Sequence, residues 1–202
     1  MQISIKTNFP DVQRKLNALQ ADIRAKALAS AVNKTIEQAR TQMIREITSE
    51  YAVKAGYVRD RLRIKRASFK GVAFEIEARL AGGAANRKRS ANVIAFGARQ
   101  VSKGVSVKIK KVGGRKIITG AFIANDGRTV FERVPRTAMA SRSKYAGSKH
   151  AEKIKPVQTI DIAQMFNQRR INAAVIAGIK AKFPTIFERE ANFYVARFNR
   201  KG

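Results

Sequence analysis

Residues 11–50 read DVQRKLNALQADIRAKALASAVNKTIEQARTQMIREITSE and contain neither Gly nor Pro. Asp11 follows Pro10 and is a good N-cap for a helix. The pattern predicts a single helix of up to about 60 Å, because each residue adds about 1.5 Å. A chain of 202 residues does not need so long a helix, so we expect part of it to contact another subunit, unless a break lies near residues 30–34. Apolar residues form one helical stripe, namely Val12, Leu16, Leu19, Ile23, Ala27, Ala31, Ile36, Ala39, Met43 and Ile47.

A block of one-sided charge lies further along the chain. Residues 78–125 carry eleven Lys or Arg and no Asp or Glu. The block differs from a disordered basic tail, because Val105 and Val107 alternate with Ser106 and Lys108 as in a half-buried strand. The cations are therefore mounted on folded structure, with no carboxylate nearby in sequence to neutralise them. A surface of this kind favours a polyanionic partner.

Strand patterns occur on both sides of this block. Residues 1–9 predict a short edge strand, residues 72–79 alternate clearly, and residues 93–97 are apolar enough for a buried strand. Within residues 115–134, an Asn-Asp-Gly sequence separates two strand-like runs and predicts a β-hairpin. We therefore predict an α+β fold, a mostly antiparallel sheet of about five strands flanked by a long N-terminal helix and C-terminal helices.

The remaining segments complete this organisation. Residues 53–62 predict a short helix, and residues 135–153 lack periodicity and predict a mobile surface loop. Helices are expected over residues 162–199, where Pro184 starts or kinks the last of them. We expect one domain over residues 1–202, with the basic sheet region at about 64–134.

Composition supports a folded basic protein. The chain has 42 Lys or Arg against 14 Asp or Glu, a net charge of +28. Its 45% hydrophobic content is too high for an intrinsically disordered polybasic chain. A solvated basic surface on a ribosomal or other soluble protein is the alternative to a nucleic-acid partner. Cysteine is absent, no apolar run approaches the length of a membrane span, and the N-terminus lacks signal-peptide features. We expect a protein that is assembled in the cytoplasm and contacts no membrane.

Residues for catalysis are sparse. His150 is the single histidine, so no histidine-based triad or His-rich metal site can form. Glu75 and Glu77 share one face of a predicted strand and could bind a metal, but charge partners for neighbouring Lys and Arg are the simpler interpretation. The Gly pairs at 82–83 and 113–114 lack the Gly-Lys-Ser/Thr of a phosphate-binding loop. We predict no enzyme activity, no metal and no cofactor.

Nucleic-acid contact is expected through the phosphate backbone. The chain has no Trp, no zinc-finger spacing and no basic region with leucine heptads. Its Lys and Arg are scattered over loops, strands and helices, which suits sequence-independent electrostatics. The candidate DNA-facing residues are Arg87, Lys88, Arg89, Arg99, Lys103, Lys108, Lys110, Lys111, Arg115 and Lys116.

Three segments resemble one family. They are residues 58–79 (VRDRLRIKRASFKGVAFEIEAR), residues 114–134 (GRKIITGAFIANDGRTVFERV) and residues 153–166 (KIKPVQTIDIAQMF). The hairpin followed by the K-x-P-V-x-x-I segment is the more specific part. Together with the order of the flanking helices, these segments are similar to the minor tail protein Z family of lambda-like bacteriophages and their prophages, over nearly the whole chain.

The resemblance implies a structural virion protein that completes the head-proximal end of a long phage tail. It would join late, help the tail connect to a filled head and position the DNA end. Tail symmetry suggests a ring of six copies. The implied neighbours are the tail terminator, tail tube or tape-measure proteins, head-connector proteins, and double-stranded DNA without sequence specificity. Candidate residues for contacts between copies are Ile36, Met43, Ile47, Phe187, Tyr194 and Phe198.

Two other functions compete with this one. The chain could be a free, non-sequence-specific nucleic-acid-binding protein, such as a ribosome-associated or DNA-packaging factor. It could also be a nuclease that binds its metal through Glu75 and Glu77. The overlong first helix and the amphipathic C-terminal helices favour assembly over a monomeric binder.

Overall fold

The computed structural model describes residues 2–5, 21–67, 78–82, 91–134 and 153–200. The chain forms two compact units, whose segments alternate along the sequence. Unit 1 comprises residues 1–46, 59–85 and 162–202, and unit 2 comprises residues 47–58 and 86–161. One domain over residues 1–202 stays a prediction.

Four α-helices occur among the described residues: α1 (Ala21–Glu50), α2 (Ala55–Arg59), α3 (Ile162–Phe166) and α4 (Arg169–Asn199). Helix α1 is continuous through residues 30–34, so no break interrupts the long helix there. Its 30 residues give about 45 Å at the α-helical rise. The first ten residues of the predicted helix, 11–20, lie outside the described residues.

Strands are shorter and more numerous than predicted. The described strands are β1 (Gln2–Ile5), β2 (Leu62–Lys65), β3 (Ala78–Gly82), β4 (Arg99–Val101), β5 (Gly104–Val107), β6 (Lys116–Thr119), β7 (Phe122–Ala124), β8 (Thr129–Val134) and β9 (Lys153–Pro156). They form three antiparallel three-stranded sheets, in the orders β1-β3-β2, β4-β5-β6 and β7-β8-β9. The α+β class is confirmed, while the described strands are divided among three small sheets.

In unit 1, α1 and α4 run antiparallel. Ser30 Oγ donates to the Glu190 carboxylate at 2.6 Å, whereas Gln42 Nε2 reaches the Ala174 carbonyl at 3.0 Å. A later residue of α1 thus meets an earlier residue of α4. The apolar stripe of α1 is buried within the chain, since Ala27, Ala31, Ile36 and Met43 are each 0% exposed. Packing inside the chain therefore accounts for the stripe.

In unit 2, the Gln100 side chain joins two sheets. Its Nε2 donates to the Gly104 carbonyl of β5 at 2.9 Å, and its Oε1 accepts from the Ile123 amide of β7 at 2.9 Å. The second bond satisfies an amide at the edge of the β7-β8-β9 sheet, which otherwise has no strand beside it among the described residues. The two sheets therefore share a polar link.

The segment predicted as a buried strand at 93–97 is instead a 3-10 helix over Val93–Phe96. Asn92 causes this difference. Its Oδ1 accepts from the Ile94 amide at 3.1 Å and caps the turn, while its Nδ2 donates to the Val130 carbonyl at 3.0 Å. Gly97 ends the turn in the left-handed region, with φ of 63°. Local capping thus overrides the apolar composition.

The predicted hairpin is confirmed. Strands β7 and β8 pair antiparallel, with Phe122 opposite Phe131. Asn125, Asp126 and Gly127 all have positive φ, at 57°, 53° and 76°, a conformation that these residue types tolerate best. The Arg128 amide donates to the Asn125 carbonyl at 3.0 Å and closes the turn.

Other expectations need smaller adjustments. Pro184 lies inside the continuous helix α4 and does not start a helix. The short helix at 53–62 is confined to Ala55–Arg59, and residue 153 begins β9, so the predicted loop ends before it. Residues 135–152 and 72–77 of the predicted loop and strand lie outside the described residues.

Candidate nucleic-acid interface

Unit 2 concentrates positive charge in a short length of chain. Residues 47–58 and 86–161 contain 19 Lys or Arg and 5 Asp or Glu, a net charge of +14 over 88 residues. Most of the candidate DNA-facing residues belong to or adjoin the sheet β4-β5-β6. The sheet therefore carries cations on backbone that hydrogen bonds hold in place.

The strand register decides which cations share a face. Arg99 lies opposite Ser106, and Ser106 opposite Ile117. Residues directly opposite each other in antiparallel strands project to the same side, so Arg99 lies on the face of Ser106 and Ile117. Lys116 is opposite Val107 on the other face.

The cations therefore surround the sheet. Lys103 lies in the turn that joins β4 to β5, at the end of the sheet opposite the residues that follow Val107. Positive charge reaches solvent from both faces and both ends. This arrangement suits long-range attraction of phosphate more than one flat contact surface.

Five candidate cations make no ion pair with a described carboxylate. We call them the sheet cations; four are exposed and Lys108 is half-buried. The described salt bridges of unit 2 involve other residues: Lys110 with Glu50, Arg128 with Asp126, and Lys155 with Glu132. The sheet cations are Arg99, Lys103, Lys108, Lys111 and Lys116.

Arg115 is engaged in structural hydrogen bonds. Its Nε donates to Ser106 Oγ at 2.9 Å, and its Nη2 donates to the Gly97 and Ser106 carbonyls at 2.7 and 2.8 Å. The guanidinium thus ties β5 to the end of the 3-10 helix. Arg115 is one of the candidate DNA-facing residues, yet its Nε and Nη2 donate three hydrogen bonds within the chain.

Lys110 is likewise engaged at the end of α1. Its Nζ lies 3.6 Å from Glu50 Oε1, and its backbone forms an antiparallel bridge with Tyr51. The Ala52 amide donates to the Ile109 carbonyl at 2.9 Å, and the Lys111 amide to the Glu50 carbonyl at 2.8 Å. Burial, and then the Glu50 charge, raises the pKa of the Tyr51 phenol, so Tyr51 stays neutral at this junction.

The loop that starts from this junction carries apolar surface that the sequence analysis did not single out. In this loop Val112 is 87% exposed, and Ile117 in the following strand β6 is 53% exposed. A groove of about 280 Å³ is lined by the apolar side chains of Val107, Ile109 and Val112 and by two exposed lysines. The sequence feature that could have indicated this apolar surface is Val112, which lies between Lys110-Lys111 and a Gly-Gly pair.

The candidate subunit-contact residues divide into two groups. Ile36, Met43, Ile47 and Phe187 are 0% exposed, so these side chains have no accessible surface for a second copy. Two residues near the end of α4 remain accessible: Tyr194 is half-buried and Phe198 is 50% exposed.

Accessible aromatic surface continues around the end of α4. Phe193 is 55% exposed and packs edge-on against Tyr194, with ring centroids 5.3 Å apart. A second groove, of about 260 Å³, is lined by Tyr194, Phe198 and residues of α1 in the same unit.

Three candidates, Arg87, Lys88 and Arg89, lie outside the described residues, as do Glu75, Glu77 and His150. Among the described residues, no three or more His, Cys, Asp or Glu side chains come close enough together to hold a metal ion. None of the described helices is long and apolar enough to cross a membrane.

A family model described as prophage minor tail protein Z matches residues 11–198 of the 202. The chain belongs to the prophage minor tail protein Z family. Membership confirms the resemblance of the three sequence segments and assigns the chain to the structural proteins of the phage tail. Neither a curated protein nor a solved structure matches the chain.

Proposed function

We propose that this member of the minor tail protein Z family completes the head-proximal end of the tail as one subunit of a ring through which DNA passes. It joins late in the host cytoplasm, helps the tail connect to a filled head and positions the DNA end. It acts as a structural part of the virion and not as an enzyme. The observation that carries the DNA role is the set of five sheet cations without a described carboxylate partner.

The positions of these cations in the strands and turns of the sheet support sequence-independent contact with DNA. Lys103 lies in a tight turn, and the Gly120 amide donates to its carbonyl at 3.2 Å. Arg99 and Lys116 begin strands that pair with β5. Sequence reading requires side chains placed on base edges in a groove, whereas cations spread around a small sheet act on phosphate charge within about 8 Å, one Debye length.

A ring would carry more charge than DNA can balance. Six copies at +28 each give +168, whereas about 30 Å of duplex, at one charge per 1.7 Å, carries on the order of 18 phosphates. Only a subset of the cations can therefore face DNA. The remainder would face solvent or acidic neighbours among the tail terminator, tail tube, tape-measure and head-connector proteins.

Contacts between copies are best assigned to the accessible aromatic residues near the end of α4. Phe193 and Phe198 are each at least half exposed, and exposed aromatic clusters are enriched in protein interfaces. They replace the buried Ile36 and Met43 as the proposed contact, while Tyr194 lies beside them at the edge of the same cluster.

A binding experiment tests the DNA role directly. Replacing the five sheet cations with Gln should flatten the salt dependence of duplex binding, by up to about 4.5 in the slope of log K against log salt if each contacts one phosphate. A matched control removes five exposed cations, four on α4 and one at its C-cap, and should leave that slope nearly unchanged. The control residues are Arg169, Arg170, Lys180, Lys182 and Arg200.

The same two variants distinguish DNA contact from protein contact in particles. If the sheet cations guide DNA, tails should contain the variant subunit at the normal copy number but retain the DNA end poorly and lose plaque titre. Mass spectrometry of purified tails and plaque counts measure both quantities. Tails that lack the variant subunit, or unchanged titre, would contradict the proposal.

A further inference from the structure

The groove beside Val112 has features that phosphate binding does not require. Three of its side chains, Val107, Ile109 and Val112, are apolar, and Val107 is only 3% exposed. Phosphate contacts use N–H and O–H donors, which these side chains lack. A volume of about 280 Å³ is at the small end of small-molecule sites, which span about 300–1,000 Å³. One apolar side chain of a protein partner suits this space better than a cofactor.

The groove has a firm base. Val107, the first lining residue, is the last residue of β5. Two backbone hydrogen bonds then connect residues 109 and 111 to the end of α1. Beyond this base, Gly113 takes φ of 111°, a conformation that L side chains rarely adopt. The two hydrogen bonds therefore hold the chain immediately before Val112.

Charge around the groove defines its partner. Lys110 and Lys116 are part of the groove lining. Lys108 and Lys111 lie with them within residues 108–116. Of these four, only Lys110 pairs with a described carboxylate, Glu50 at 3.6 Å. A partner that places an apolar side chain in the groove therefore brings its flanking residues close to three cations without described carboxylate partners.

We propose that the groove formed by residues 107–116 binds an acidic protein segment through one aliphatic or aromatic side chain flanked by carboxylates. The side chain lies against Val107, Ile109 and Val112, and the carboxylates lie near Lys116 and its neighbours. A second copy of this chain is a poor partner, because its net charge is +28. The site does not depend on DNA passage through the tail, since its apolar contacts are separate from the sheet cations Arg99 and Lys103.

Two synthetic peptides test the site in the full-length protein. One consists of alternating Asp and Glu around a central Leu, and the other carries Ser in place of that Leu. Fluorescence anisotropy should show about tenfold tighter binding of the Leu peptide, the factor expected from burying one aliphatic side chain. Equal affinities for the two peptides would overturn the proposal.

Variants identify the groove as the binding place. Val112→Ser should abolish the preference for the Leu peptide, whereas Ile154→Ser, at a residue 48% exposed on β9, should retain it. Lys116→Gln should weaken both peptides and preserve the preference. Val112 is 87% exposed, so its replacement should leave the melting temperature unchanged.

Duplex DNA is the competing occupant. Val112→Ser keeps every charge and should leave duplex affinity and its salt dependence intact. If this variant weakens duplex binding as much as peptide binding, Val112 acts as an apolar wedge on nucleic acid, and the protein-docking proposal is wrong. The proposed DNA role is tested separately by neutralising Arg99 and Lys103, the two sheet cations outside residues 107–116, which should weaken duplex binding and leave the preference for the Leu peptide intact.

Discussion

Gln42 of α1 occupies the space that a side chain at Gly178 of α4 would need. A Cβ built at Gly178 meets the Gln42 amide group, while Gln42 Nε2 donates to the Ala174 carbonyl at 3.0 Å. Because Gly178 has no side chain, the Gln42 amide fits between the two long helices of unit 1 and forms this hydrogen bond. We call the contact between Gln42 and the Ala174 carbonyl the clamp.

The first prediction concerns this clamp. Gly178→Ala gains up to about 1 kcal/mol of helix propensity but displaces Gln42 and loses a hydrogen bond worth about 1 kcal/mol, so its net effect should be small. In a Gln42→Ala background the same change should stabilise the protein by up to about 1 kcal/mol. Urea unfolding of the four proteins in the double-mutant cycle measures the coupling. Equal effects in both backgrounds would show that Gln42 and Gly178 are independent.

The second prediction concerns pH. Burial acts to raise the pKa of the Glu190 carboxyl, but hydrogen bonds from Lys34 and Ser30 and the charges of Lys34 and Arg189 outweigh it, so the pKa lies below its ordinary 4.5. A depressed carboxyl pKa stabilises the fold above pH 4.5, and this contribution is lost as the pH falls through the folded value.

Glu190→Gln should therefore reduce the loss of stability between pH 6 and the acid range below about pH 4. Urea midpoints of the variant and the natural protein across this range measure the difference. Glu188→Gln, at an exposed position of the same helix, is the control and should leave the acid dependence closer to that of the natural protein. Identical pH profiles for the natural protein and Glu190→Gln would rule out this role.

The third prediction separates structural from surface cations. Arg115→Gln removes three hydrogen bonds from one side chain and should lower the free energy of unfolding by about 1–2 kcal/mol, a reduced value because the site is exposed. Lys111→Gln removes the same charge but no described side-chain bond, so it should change stability by less than about 0.5 kcal/mol. Chemical denaturation compares the two. Equal losses would show that charge, and not the bonding of Arg115, sets the stability of this sheet.

The fourth prediction concerns contacts between copies. Replacing both Phe193 and Phe198 with Ser should reduce assembly of the protein, while the monomer keeps its fold because both side chains are at least half exposed. Replacing Ile36 and Met43 with Asp should instead unfold the monomer, since both are completely buried.

Sedimentation and circular dichroism distinguish the two double variants. Ile176→Ser, at a residue 40% exposed on the same helix, is the matched control and should assemble normally. Normal assembly of the Phe193/Phe198 variant would remove the end of α4 from the proposed ring contact.

The sequence by itself determined the elements with strong local signals. The apolar period of residues 21–50 predicts α1 because its repeat matches a helix, and Asn125-Asp126-Gly127 predicts the hairpin because these residues accept positive φ. The acid-free block at 78–125 likewise predicts an unbalanced basic surface, since charge is a property of composition. The 3-10 helix at Val93–Phe96 escaped prediction, because Asn92 is held by both its own turn and Val130, 38 positions away.

Only the tertiary structure decided what individual side chains can do. Arg115 and Lys116 are neighbours of equal charge in the sequence, yet Arg115 donates to Gly97 and Ser106, while Lys116 is a groove residue without a described ion pair. Ile36 and Phe198 belong to similar apolar patterns, yet one is fully buried and the other is half exposed. Whether a side chain is hydrogen-bonded or buried depends on which distant residues pack against it. The pattern of a single segment does not contain that information.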